Sequence, residues 1–256
     1  VSGEIKSASE LGYMREAGHI VYEILVELQK TTAPGVSTWE LDQLSEELIY
    51  KKGAKPAFKG YRGFPCCLCT SINYEVVHGI PSKKRVLKDG DILSLDFGVV
   101  FRGYFGDSAV TVPVGKVKPE AQSLIDATRE SLHQGIEKMI VGNRISDIGS
   151  AVQKYAEGKG FSVVRSFVGH GIGRALHEDP QVPNYDLTLD PRPDRLPNPR
   201  LRPGMVLAVE PMINAGKAEV EVLDDDWTAV TIDRKLSAHF EHTIAITENG
   251  PEILTR

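Results

Sequence analysis

Asp96 interrupts DILSLDFGVV (residues 91–100), a run whose apolar and β-branched content otherwise reads as a strand. The same interruption recurs at Asp107 in RGYFGDSAV, at Glu210 closing the apolar run of GMVLAVEPM, and at Glu241 in SAHFEHTIAI. A lone acid in a strand is usually a solvated residue or a turn cap. Four of them in core-directed strands restrict the chain far more. If they converge, their mutual repulsion lifts their pKa values steeply unless cations compensate. Two divalent ions match four carboxylates in charge.

The run SFVGHGIGRALHEDP (residues 166–180) holds His170 between two glycines, with Gly173 and His177 following. Such a run can cradle phosphate with its backbone N–H groups, or let an imidazole reach a metal at close quarters. A phosphate loop calls for a GKS or GKT and a following helix. Neither is offered, because Asp179-Pro180 cuts any helix short. Oxygen-rich ligation with one imidazole suits Mn²⁺, Fe²⁺, Co²⁺ or Zn²⁺ better than a structural zinc site. Four carboxylates and one histidine serve two metals when two carboxylates bridge, so the pattern reads as dinuclear and hydrolytic.

The surrounding chain suits that reading. Its 256 residues are 41% hydrophobic, enough for a large core, and the net charge of −5 with no basic stripe argues against nucleic acid. No apolar run reaches the length of a membrane span, and VSGEIKSASE lacks a signal-peptide core, so a cytoplasmic protein is expected. The three cysteines, Cys66, Cys67 and Cys69, provide no second pair for structural zinc and read as packing residues in a reducing compartment.

Helical stripes cover Ala8–Gln29, a capped segment from Ser37 or Thr38 to about Lys52, Pro119–Met139 and Ile145–Lys159. Beyond the strand at 91–100, Phe105–Val114 returns as its hairpin partner after Arg102-Gly103. Further strands are expected at Phe161–Val164, Met205–Val209, Trp227–Ile232 and His239–Thr247. The segments Gly35–Gly53 and Gly142–Gly160 have equal length and place Leu41, Leu44 and Leu48 opposite Ile148, Ala151 and Tyr155. This internal repeat implies two related α+β halves, roughly 1–115 and 116–256, forming a single domain over 1–256 with a cleft between them. The proline-rich Asp186–Arg202 reads as a surface loop.

Taken in order, VVHGIP (Val76–Pro81), LDFGVVFRGYFGDSAV, GHGIGRALHEDPQV, LAVEPMINAG and FEHTIAIT resemble the motifs of type I, bacterial methionine aminopeptidases of peptidase family M24. The resemblance spans essentially the whole chain. It implies the pita-bread α+β fold, two pseudo-symmetric halves around a central antiparallel sheet, and a methionyl aminopeptidase that removes the initiator methionine when the second residue is small. By motif, Asp96 corresponds to a ligand of one metal, His170 and Glu210 to ligands of the other, and Asp107 and Glu241 to the bridging pair. The metals would be two divalent ions drawn from Co, Mn, Fe, Zn or Ni. Glu210 matches the proton-shuttling residue, His177 the one that stabilises the tetrahedral intermediate, and His78 the one that contacts the substrate amide or leaving nitrogen. The glycines flanking His170 are expected to bring the backbone close to the metal.

The methionine pocket corresponds to Phe58, Tyr61, Phe64, Cys69, Leu176 and Trp227. Phe58, Leu176 and Gly98 depart from the family's commoner residues, and DFG with GYFGD resembles the prolidase and Xaa-Pro aminopeptidase group. That group is the nearest rival reading, and a non-catalytic binding homologue is a second. SAHFEHT in place of an arginine-containing motif favours methionine removal. Implied partners are nascent polypeptide N-termini beginning with Met and a transient ribosome contact. The expected enzyme is a monomer that uses neither membrane nor nucleic acid. His19 and His133 read as surface residues, and His242 as facing away from Glu241.

Overall fold

A computed structural model describes residues 3–189 and 196–256; within the proline-rich loop expected at Asp186–Arg202, residues 190–195 lie outside the described residues. Helix α1 (Ala8–Thr31) begins at a capping box: Ser7 Oγ accepts the Glu10 N–H while the Glu10 carboxylate accepts the Ser7 N–H. Helix α2 (Thr38–Lys51) begins the same way with Ser37 and Glu40. Helix α3 (Pro119–Ile136) starts on a proline, where no N–H is needed. At the head of α4 (Ile145–Gly158) the Asp147 carboxylate accepts the Arg144 N–H. No helix among the described residues is long and apolar enough to cross a membrane.

Helices α2 and α4 each span 14 residues. Their bounding glycines adopt matching left-handed conformations, φ 92° and 94° at Gly35 and Gly142, 70° and 85° at Gly53 and Gly160. Only glycine takes such angles without strain, which is why the two segments punctuate alike.

Strand Ile92–Phe101 pairs along its length with Tyr104–Pro113. The turn between them has positive φ at Arg102 and Gly103, as the twist of a tight hairpin requires. Its other edge carries Cys69–Ile72 and Lys55–Pro56. A second antiparallel sheet runs Gly250–Ile253, His242–Thr247, Val206–Val209, Gly169–Gly171, Glu178–Val182. Two three-stranded sheets complete the fold, one joining Ser237–His239, Met212–Asn214 and Ser162–Val163, the other Val220–Val222, Ala229–Thr231 and Glu75–Val77. The single strand expected over His239–Thr247 is therefore broken. Ser237–His239 and His242–Thr247 join different sheets, because the Phe240 N–H turns to Pro211 O and the Glu241 N–H to Ala109 O.

Strand alternation decides where the acids go. Leu93, Leu95, Phe97 and Val99 pack with α1 residues Ala17, Val21, Ile24 and Leu28, so Asp96 takes the opposite face. Leu207, Val209, Ile244 and Ile246 pack with α3 residues Leu124, Ile125 and Leu132, which leaves Glu210 and Glu241 on the face away from the helices. The isolated bridge Ala109–Glu241 ties the first hairpin to the second sheet, and Val110 packs against both cores.

Candidate metal centre

The thirteen side chains singled out from the sequence line one cavity of about 400 Å³. Asp96, Asp107, His170, Glu210 and Glu241 share it with His78 and His177 and with Phe58, Tyr61, Phe64, Cys69, Leu176 and Trp227. Asp107, His170 and Glu241 each offer a ligand atom, all within 4.8 Å of one another. His170 Nδ1 lies 2.9 Å from Gly171 O. A carbonyl only accepts, so Nδ1 carries the proton and the Nε2 lone pair is turned inward, 3.5 Å from Glu210 Oε1.

Burial is severe: Asp96, Asp107 and Glu241 are 8%, 4% and 3% exposed, and Asp96 Oδ1, Asp107 Oδ1 and Glu241 Oε1 have no hydrogen-bond partner. Burial, opposed in part by the Ser108 N–H, lifts Asp107 to about 7. Burial and the neighbouring carboxylates push Asp96, Glu210 and Glu241 well above the usual carboxylate range. Burial also holds His170 down at about 3, hence neutral. Among the described residues, no lysine or arginine pairs with any of these acids; the nitrogen neighbours of Glu210 are His170 and His239. Orphaned carboxylate oxygens around a neutral imidazole fit a divalent cation, since a cation satisfies the oxygens and cancels the repulsion together.

The scaffold holds these groups through its backbone. Thr243 Oγ1 accepts the Asp107 N–H and donates to Asp107 O, and Ser108 Oγ donates to Glu241 O. Asn184 Nδ2 donates to Glu210 O at 3.0 Å. The glycines around His170 answer to neighbouring strands. A Cβ at Gly169 would meet Ala208 O at 2.3 Å, and one at Gly171 would meet Asp179 O at 2.3 Å. Strand-to-strand contact therefore requires glycine at both positions.

His78 takes a left-handed backbone, φ 62°, after strand Glu75–Val77, and its ring meets Phe167 and Trp227 edge-on at 5.4 and 6.3 Å. Burial lowers its pKa to about 4. His177 keeps one side open to the cavity mouth, while the protein around the ring, with the Arg62 charge, pushes its pKa down. The His170 and His177 ring centres are 4.2 Å apart. Beside the polar floor, Phe64 and Cys69 cluster with Trp227 and Phe58, while Leu176 packs with Tyr61 and Phe58. Gly98 leaves room for this wall: a Cβ there would come within 3.3 Å of the Phe58 ring and 2.9 Å of Gly106 O. Phe58 therefore adjoins both of the other sequence departures, Gly98 and Leu176.

His239 was missed by sequence reasoning. It is 1% exposed, neither ring nitrogen has a hydrogen-bond partner, and Nε2 lies 3.9 Å from Glu210 Oε2. Its one sequence cue was a spacing of two from Glu241, a cue that any strand residue two positions from an acid shares. Asn184 and the cavity residues Arg62, Phe167 and Gln181 carried no such signal. His242 turns instead to Thr255, with Nδ1 2.8 Å from Oγ1, and His19 and His133 are exposed.

Residues 12–248 match the model of metallopeptidase family M24. A methionine aminopeptidase 1 from Bacillus subtilis is 55% identical over 251 residues, 98% of each chain, and a methionine aminopeptidase from Clostridium acetobutylicum is 53% identical with the same coverage. The crystal structure of a methionine aminopeptidase from Thermotoga maritima superposes with a TM-score of 0.94 at 46% identity, covering both chains completely. A prolidase from Pyrococcus furiosus shares the fold alone: TM-score 0.75, 23% identity, with 98% of this chain matching 65% of that one.

Proposed function

The chain belongs to metallopeptidase family M24, and on that footing we propose that it is a methionine aminopeptidase, hydrolysing the bond after an N-terminal methionine when the next residue is small. Its fold is the pita-bread α+β fold. The observation that carries the reading is the juxtaposition, in one cavity, of a partnerless acid cluster and an apolar wall of Phe58, Tyr61, Phe64, Leu176 and Trp227. A thioether packs well against such rings.

In this reading Asp96, Asp107, His170, Glu210 and Glu241 would together hold the divalent metal. Bound there, the metal supplies Lewis acidity, lowering the pKa of water and polarising the scissile carbonyl. The remaining work belongs to the protein. The apolar wall seats the methionine side chain. Glu210, its carboxylate ionised once the cation is bound beside it, takes the proton of the attacking water and returns it to the leaving amine. His177 donates to the oxyanion as it develops, and His78 contacts the amide or leaving nitrogen.

We extend the proposal to a single catalytic domain, with halves of roughly 1–115 and 116–256. It would act as a cytoplasmic monomer on nascent N-termini in transient contact with the ribosome. The test is metal-dependent release of methionine from a Met-Ala-Ser peptide, set beside an Ala-Pro peptide. Methionine release abolished by chelation supports the reading; cleavage of the Ala-Pro peptide alone would transfer the chain to the proline-specific branch.

A further inference from the structure

The segment Phe58–Phe64 is closed on itself. The Tyr61 N–H donates to Phe58 O, the Phe64 N–H to Tyr61 O and the Gly60 N–H to Phe64 O, at 2.8–2.9 Å. It turns through left-handed backbone at Gly60, Arg62 and Gly63, with φ of 88°, 50° and 91°. Arginine takes such an angle only at a cost, and costs of this kind persist where the surrounding structure enforces them, often at functional sites.

That loop presents Tyr61 to His177. The phenol oxygen lies 2.8 Å from His177 Nδ1, and the ring centres are 5.3 Å apart. The Tyr61 ring is held from below by the cluster that contains Met14, Ile172 and Leu176, and the Arg62 guanidinium lies 5.4 Å from its centre. A phenol that only lined the methionine pocket would need no hydrogen-bond partner on the catalytic histidine.

A neutral imidazole has one donor and one acceptor nitrogen. Its lone-pair nitrogen accepts better than a phenol oxygen does, and a phenol O–H donates better than an imidazole N–H. The stable pairing therefore has Tyr61 donating to Nδ1. No described hydrogen bond occupies Nε2, which then bears the proton. A group that stabilises an oxyanion must donate, and this tautomer is the one that can.

We infer that Tyr61 is a positioning residue: its hydroxyl fixes the orientation and tautomer of His177 so that Nε2–H points at the substrate carbonyl. The inference rests on the methionine aminopeptidase reading for what the Nε2–H does, but the hydrogen bond itself is independent of it.

The test is Tyr61→Phe, which keeps the ring and its packing. Turnover of a Met-Ala-Ser peptide should fall roughly tenfold in kcat, with KM within about twofold, as for loss of one hydrogen bond that matters in the transition state. A raised KM with kcat intact would reduce Tyr61 to pocket wall and overturn the inference. A second readout uses ¹⁵N-histidine-labelled, metal-free protein, with the His177 signals assigned by His177→Asn. In the unsubstituted protein Nδ1 should be the unprotonated, hydrogen-bonded nitrogen, and in Tyr61→Phe its resonance should move towards that of free imidazole. A protonated Nδ1, or an Nδ1 resonance indifferent to the substitution, overturns the inference. If the unsubstituted enzyme releases no methionine, the functional reading fails, while the nitrogen spectra still decide the pairing.

Discussion

His239 Nε2 stands 3.9 Å from Glu210 Oε2, and among the described residues neither nitrogen of that ring has a hydrogen-bond partner. The contact is built in by the backbone: Thr111 Oγ1 accepts the His239 N–H and donates to its carbonyl, and Ser94 Oγ meets the same hydroxyl at 2.8 Å. Such a clamp fixes the His239 backbone, from which the buried ring projects beside the carboxylate. A buried, unsatisfied imidazole costs stability, about 1–3 kcal/mol for each orphaned polar atom.

We predict that His239→Leu, which removes both orphaned nitrogens at similar volume, raises the stability of the metal-free protein by about 1–2 kcal/mol in urea unfolding. The same variant should turn over roughly tenfold more slowly, because the Glu210 carboxylate loses the neighbour that restricts it. Loss of stability with unchanged turnover would make His239 a space-filler.

Replacing Glu210 by alanine should keep the fold, since it deletes one of four mutually repelling, buried acids. Turnover should drop by about 10²–10⁴ for the proton transfer alone, and further if metal affinity falls with it. Glu210→Gln separates the two contributions, since it keeps the shape and loses the proton acceptor. Steady-state rates beside metal content measured on the same preparations decide the case; near-normal activity in either variant removes Glu210 from the mechanism.

His177→Ala is predicted to slow turnover by about 10²–10³ while leaving metal stoichiometry intact, the size expected for one lost oxyanion donor. The ring centres of His170 and His177 are only 4.2 Å apart, so the two imidazoles are easily confused by proximity. They differ in where the second nitrogen goes: His170 Nδ1 is spent on Gly171 O, His177 Nδ1 on Tyr61. Metal loss in His177→Ala would mean that the ligand and the substrate-facing histidine have been exchanged.

Asp96 and Glu210 were legible in the sequence because an acid between apolar strand residues breaks a strong local rule. The helices α2 and α4 were legible because their caps and terminal glycines are local too. The break at Phe240-Glu241 was not, because it depends on Pro211 and Ala109, residues that reach those amides only in the folded chain. The same limit hid the role of Gly169 and Gly171, whose neighbours Ala208 O and Asp179 O come from other strands. His239 was hidden for a different reason. A histidine two residues before an acid has the pattern of any strand residue, and only burial without a partner sets it apart.

The acid cluster makes the metal-free protein's stability depend on pH in a direction that can be worked out. A carboxylate whose pKa is higher in the folded than in the unfolded chain holds its proton more tightly when folded, so stability falls as pH rises between the two values. Asp107, lifted to about 7, behaves this way, as do Asp96, Glu210 and Glu241. The buried histidines act oppositely. His78 near 4, and His170 and His239 near 3, lie below the ordinary value, so stability rises with pH until the unfolded chain's histidines have lost their protons near 6.5. Above that point the acids dominate, joined towards pH 8.5 by the buried thiols of Cys66, Cys67 and Cys69, which burial pushes up and which therefore act in the same direction. From pH 6.5 to 8.5 the metal-free protein should therefore lose up to about 1.4 kcal/mol per pH unit for each carboxylate still protonated, seen as a falling melting temperature. Saturating Mn²⁺ takes the place of those protons and should flatten the dependence, and calorimetry near pH 7 should record proton release on binding. A melting temperature that climbs across this window without metal would mean that the acids are already ionised and balanced by the protein alone.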